Sequence, residues 1–130
     1  MTKILIIGKS QAGKTTLANA LVTKWGEEAE YVTGQTASEV ATAANAATKK
    51  YVIIDFAGTT QAERDMIGAD KLIWLDTVQD NSTFENPEVH NHHMAVKDAE
   101  MWSNHIMDIQ HVEENPPNRL DGGIDLLPPV

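Results

Sequence analysis

Gly8-Lys9-Ser10-Gln11-Ala12-Gly13-Lys14-Thr15, followed by Thr16, sets two glycines, a lysine and a hydroxyl at the spacing G-x-x-x-x-G-K-T. The apolar run Lys3–Ile7 precedes it, and Leu17 and Leu21 continue beyond it at helical spacing. A strand, a glycine-bearing loop and a helix are the context a phosphate-binding loop needs. Gly8 and Gly13 let the backbone turn and approach a phosphate with no Cβ in the way. The amides from Gln11 to Thr15 then gather at the positive end of the helix. Lys14 is the point charge for the outer phosphates, and the Thr15 hydroxyl is one ligand of an octahedral Mg²⁺. Average residue usage gives this pattern by chance in roughly half a percent of chains this long, before strand and helix are required around it. The expected nucleotide-binding residues are therefore Gly8, Lys9, Ser10, Gln11, Ala12, Gly13, Lys14, Thr15 and Thr16.

The metal needs a second oxygen donor, and two apolar runs end in aspartate, Tyr51–Asp55 and Leu72–Asp76. In kinases and GTPases the acid follows the third strand, the one that pairs with the loop's own strand. This selects Asp55, with Thr15, as the metal residue and leaves Asp76 as the alternative. Asp55-Phe56-Ala57-Gly58 also reads D-x-x-G, the pattern in which a GTPase glycine senses the γ-phosphate, and Gln61 lies near enough to orient a water. A GTPase also carries an N/T-K-x-D guanine reader after a later strand. The only lysine beyond Lys71 is Lys97, in Val96-Lys97-Asp98, outside that pattern.

Phosphoryl transfer is mostly electrostatic stabilisation of charge in flight, so cations matter. The chain has two arginines, Arg64 and Arg119, and the stretch 76–93, where a kinase lid would lie, holds neither Arg nor Lys. The catalytic set under a kinase reading is Lys14, Asp55 and Arg64. His90, His92 and His93, with Glu85 and Glu88, have metal-ligand chemistry but lack a second cluster at a closed tetrahedral spacing, and a solvated polar loop accounts for them.

The elements that would position these groups follow from the pattern. A helix from Thr15 to Trp25 has Leu17, Leu21 and Trp25 on one face and Gly26 as its stop. Glu30–Thr33 is a short strand, and residues 38–48 an alanine-rich helix with Val40, Ala44 and Ala47 inward and lysines at its end. Lys50–Asp55 is a strand buried on both faces. Thr59 or Thr60 caps a helix reaching Ile67 with Gly68 beyond it. Lys71–Asp76 is the next strand, 76–93 a loop, and from Ala95 a helix covers the sheet with Trp102, Ile106 and Ile109 inward. Strand and helix alternate, which argues a parallel sheet.

At 130 residues with no cysteine and a net charge of −9, the chain is one domain without disulfides or thiolate metal sites. The charge repels nucleic acid and anionic membrane, so neither is an expected partner. No signal peptide or membrane span is readable, which suits the cytoplasm. The expected organisation is an α/β three-layer P-loop fold with about four parallel strands over residues 1–112, and an extended or disordered tail over 113–130.

Together Gly8–Thr15, Val52–Phe56, Glu63-Arg64, Ala69–Thr77, Phe84–Asn86 and Asp98–Trp102 resemble small adenylylsulfate-kinase-like proteins, many of them encoded by bacteriophages. The resemblance implies a kinase-like fold using ATP and Mg²⁺, with γ-phosphoryl transfer to a small-molecule acceptor in the host cytoplasm. That family carries an Asp and an Arg shortly after its second strand, whereas Tyr31–Thr36 contains neither. The expectation is an ATP-dependent small-molecule kinase. The alternatives are a nucleotide-binding switch with little turnover, which leaves room for a protein partner, and a GTPase.

Overall fold

Continuous apolar stretches need cover on both faces, and the three in this chain, residues 4–7, 51–54 and 72–75, form the centre of the sheet. In the computed structural model, which describes residues 1–116, β1 (Thr2–Gly8) lies between β3 (Tyr51–Asp55) and β4 (Lys71–Leu75). Adding β2 (Ala29–Thr33) and β5 (His92–Met94) at the edges gives the order β2-β3-β1-β4-β5, parallel throughout. The helices are α1 (Lys14–Trp25), α2 (Ala37–Ala46), α3 (Gln61–Ile67) and α4 (Ala99–Glu114), with one 3₁₀ turn at Gly26–Glu28.

Alternate residues of a strand face opposite sides, so β1 feeds two layers. Leu5 and Ile7 join Val52, Ile54, Val32, Val40, Ala44, Ala47 and Ile67 in one buried cluster beneath α2 and α3. Ile4, Ile6, Ile53 and Ile73 are buried as well, as are Leu17, Ala18 and Leu21 of α1. This is the three-layer α/β fold. Both α2 and α3 open with a capping box, Thr36 with Glu39 and Thr60 with Glu63, and Gly68 ends α3 in the left-handed region.

Several expectations are corrected. The sheet has five strands among the described residues: His92–Met94, which begins inside the stretch 76–93 read as loop and runs one residue past it, pairs with Ile73–Leu75. A strand this short and polar, with histidines in place of β-branched residues, leaves no periodic signal. Residues 95–98 are not helical, and the last helix begins at Ala99. Ile106 is buried and Trp102 half-buried there, but Ile109 is exposed. Lys49 and Lys50 fall past the end of α2. Glu113 and Glu114, placed in the tail by sequence, belong to α4. Residues 117–130 of the tail, with Arg119 among them, lie outside the described residues. Met1–Glu100 form one compact unit, and the described residues from Met101 onward belong to another. No helix among the described residues is long and apolar enough to cross a membrane.

Candidate functional site

The loop Gly8–Gly13 leaves the C-terminal end of the central strand and runs straight into α1. Gly8 is packed so closely that a Cβ there would lie 2.8 Å from the Leu75 carbonyl oxygen and 3.0 Å from the Ala12 Cβ. Gly13 sits at φ +104° with open space around its would-be side chain, and Gln11 is also left-handed at φ +67°. Gly13 is the N-cap of α1, so no side chain caps the first amides, and the first turn holds no acid. A helix start left open in this way, reached through a glycine, fits an anionic ligand.

Lys14 lies back across the loop, where its Nζ donates to the Gly8 carbonyl at 2.9 Å and the Lys9 carbonyl at 2.8 Å. Burial lowers its pKa, and the charge of Asp55 offsets part of that. Lys9 turns away, donating to the Asp80 carbonyl at 3.0 Å and pairing with its carboxylate at 3.3 Å. Ser10, Gln11, Thr15 and Thr16 are exposed and Ala12 is buried, its carbonyl accepting from the Thr77 hydroxyl at 2.7 Å.

Asp55 ends β3 beside this loop. It is 6% exposed, and Thr15 Oγ1 donates to its Oδ2 at 2.6 Å. The Tyr31 hydroxyl donates to the same oxygen at 2.7 Å, and Thr33 Oγ1 donates to the Asp55 backbone carbonyl at 2.9 Å. Burial, then the bond to Asp55, raises the Tyr31 pKa. Thr15 and Asp55 offer hard oxygen donors in the small number that Mg²⁺ takes from protein alongside phosphates and water. Asp76 serves the other edge of the sheet: its amide donates to the Met94 carbonyl at 2.7 Å, and its Oδ2 pairs with His93 Nε2 at 3.0 Å. His93 stacks on Trp74 at 4.2 Å between ring centroids, with His90 edge-on to both. Among the described residues no group of three His, Cys, Asp or Glu side chains is placed to hold a metal ion by itself.

The β1–β3 ladder continues past Asp55. Phe56 N donates to the Ile6 carbonyl at 3.3 Å, and Gly8 N to the Ala57 carbonyl at 3.2 Å. Gly58 follows at φ +57°, where a Cβ would come within 2.5 Å of Ile7 Cγ2. The turn requires glycine twice over, for its dihedral and for its space. The Gly58 carbonyl accepts from Arg64 Nε at 2.7 Å. Arg64 is 4% exposed, and burial lowers its pKa against the opposing pull of Glu85, Glu63 and Asp65. Its other donors go to Gln61 Oε1 at 3.3 Å and to the Glu85 carbonyl, and its guanidinium lies over the Phe84 ring. Gln61 in turn donates through its side-chain amide to Asp65 at 2.9 Å.

The structure thus brings Lys14, Thr15 and Asp55 together and commits Arg64 to the turn after β3. Tyr31, Thr33, Thr77 and Asp80 join the site without a sequence signal of their own. Tyr31 and Thr33 alternate along β2 as residues of one face must. That this face meets Asp55 depends on β2 pairing with β3, which the sequence does not state. The loop after β4 is fastened at its start and at its middle, by Thr77 and Asp80 to the phosphate loop and by Glu85 to Thr59 and α3.

No curated protein sequence matches the chain. The crystal structure of APE1195 is similar with a TM-score of 0.64 at 15% identity, covering 88% of this chain and 96% of that one, a likeness of fold alone. A family model described as "50S ribosome-binding GTPase" matches residues 3–119. The resemblance to adenylylsulfate kinases finds no support in these comparisons. With its glycine loop, the Thr15–Asp55 pair and the Gly58 turn set around one end of a parallel sheet, the chain belongs to this family of P-loop GTPases.

Proposed function

We propose that the protein binds a guanine nucleotide with Mg²⁺ and works as a slow GTPase switch. The observation that carries the reading is the Gly8 N to Ala57 O bond, which stitches the D-x-x-G turn to the first residue of the phosphate loop. A change in how the phosphates are held therefore bears directly on the Gly58 backbone. The loop amides and Lys14 would hold the phosphates, and Thr15 and Asp55 the Mg²⁺. Bound there, Mg²⁺ neutralises phosphate charge.

Slow turnover follows from where the polar side chains are spent. Gln61 is hydrogen-bonded to Arg64 and Asp65, Arg64 is committed to carbonyls, and Lys9 is paired with Asp80. Lys14, which itself donates to two loop carbonyls, is then the side-chain cation that meets developing charge beside Mg²⁺, and that is little for this chemistry. The family description names the 50S ribosome, but a net charge of −9 repels RNA phosphates, so the proposal stops at the nucleotide.

Calorimetric titration with GTP, GDP, ATP and adenylylsulfate in Mg²⁺, followed by assays of phosphate and ADP release, tests this. Guanine nucleotides should bind with at least about tenfold preference, and phosphate release should stay slow. Preference for ATP with ADP release that depends on adenylylsulfate would restore the kinase reading. Binding of none of these nucleotides would end both.

A further inference from the structure

Tyr31 lies on the edge strand β2, opposite Ile53 in the register, while Thr33 is opposite Asp55. Its hydroxyl nonetheless reaches Asp55 Oδ2 at 2.7 Å, so the side chain leans forward along the strand by two residues. A shorter polar residue at that position would fall short, and phenylalanine would fill the same space with no donor. Tyr31 as a residue is 36% exposed, yet its hydroxyl is held in the Asp55 contact, so bulk burial does not account for this orientation.

Two hydroxyls on one carboxylate oxygen, from α1 and from β2, approach Asp55 from two different elements. A third, Thr33, grips its backbone carbonyl. An aspartate fixed in this way has lost its side-chain freedom before any metal arrives, which lowers the entropic cost of binding. We propose that Tyr31 is a positioning residue for Mg²⁺: it holds the Asp55 carboxylate in its metal-ready orientation by donating to Oδ2. The inference rests on the Mg²⁺-nucleotide reading above and adds a residue to which no motif points.

Tyr31→Phe keeps the ring and removes only the donor. The test measures affinity for a fluorescent GDP analogue in EDTA, then the Mg²⁺ concentration that half-saturates the gain in affinity. Tyr31→Phe should raise that concentration about tenfold, the low end for an outer partner of a metal-site carboxylate, and leave affinity in EDTA unchanged. In an Asp55→Asn background the same substitution should do almost nothing, because its effect runs through Asp55. A structural bond between strands would lower the melting temperature and leave the Mg²⁺ requirement where it was, and that result overturns the proposal. An equal effect with and without Asp55 also overturns it. If the unsubstituted protein binds the analogue with no Mg²⁺ dependence, the metal reading falls and takes this inference with it. If it binds no analogue, the nucleotide reading falls first.

Discussion

Thr15 and Asp55, separated by 40 positions in sequence, are joined by a 2.6 Å hydrogen bond from the first turn of α1 to the end of β3. The bond joins the two oxygens at the C-terminal end of β3, where α1 begins after the phosphate loop. Thr15→Ala and Asp55→Asn should each weaken nucleotide binding in Mg²⁺ by about tenfold while changing it little in EDTA. Paired titrations with and without the metal check this, and a variant with the ordinary metal dependence is thereby removed from the site.

Lys14 donates to two loop carbonyls, which holds its ammonium group within the cradle. Lys14→Ala should cost at least about tenfold in nucleotide affinity, as a charge-assisted contact worth roughly 1.5–3 kcal/mol implies. Calorimetry on the folded variant measures it. Unchanged affinity would mean that the loop binds no phosphate.

These three residues were legible because each is tied to a motif with fixed spacing or to the end of an apolar strand. Third place in the strand sequence made Asp55 the choice over Asp76; β3 and β4 both lie beside β1, so pairing does not separate them, and it is Asp55 that bonds to Thr15. Tyr31 could not be found in this way, since its role depends on which strand neighbours β3 and on the reach of one long side chain across the register. His92–Met94 was hidden for a different reason. An edge strand needs a partner on one side only, so its sequence can stay polar. Arg64 was visible as an arginine near the site, but whether its donors face a phosphate or a carbonyl is set by the Gly58 turn and the Glu85 loop, contacts distant in sequence. The nucleotide base had no legible reader, because residues 96–98 carry a lysine and an acid outside the N/T-K-x-D spacing.

Gly58 separates a required turn from an ordinary one. Any Cβ meets Ile7 Cγ2 at 2.5 Å, and φ +57° disfavours a side chain even where space exists. Gly58→Ala should destabilise the fold by about 1–3 kcal/mol through strain and overpacking beneath the phosphate loop. Urea unfolding of the variant measures this, and a loss below about 0.5 kcal/mol would mean that the turn relaxes freely.

Arg64 decides between scaffold and transition-state cation, and the two roles predict opposite measurements. As a scaffold it joins the Gly58 carbonyl to the Glu85 carbonyl across the Phe84 ring, fastening the loop after β4 to the turn after β3. Arg64→Ala would strand those acceptors, of which the Gly58 contact is buried, and should cost about 2–3 kcal/mol of stability. Slow turnover would then change by no more than about threefold, because no charge near the phosphates has been removed. As a transition-state cation, Arg64 would instead leave stability nearly intact when replaced and lower turnover by about 10²–10³ with nucleotide affinity unchanged. Arg64→Lys sharpens the contrast, since lysine keeps the charge but cannot serve three acceptors in the planar fork that guanidinium provides. A scaffold arginine should therefore not be rescued by lysine in unfolding experiments, whereas an electrostatic one should recover part of its rate. Denaturant midpoints and single-turnover rates for both variants, taken on the same preparations, show which of the two roles this arginine performs.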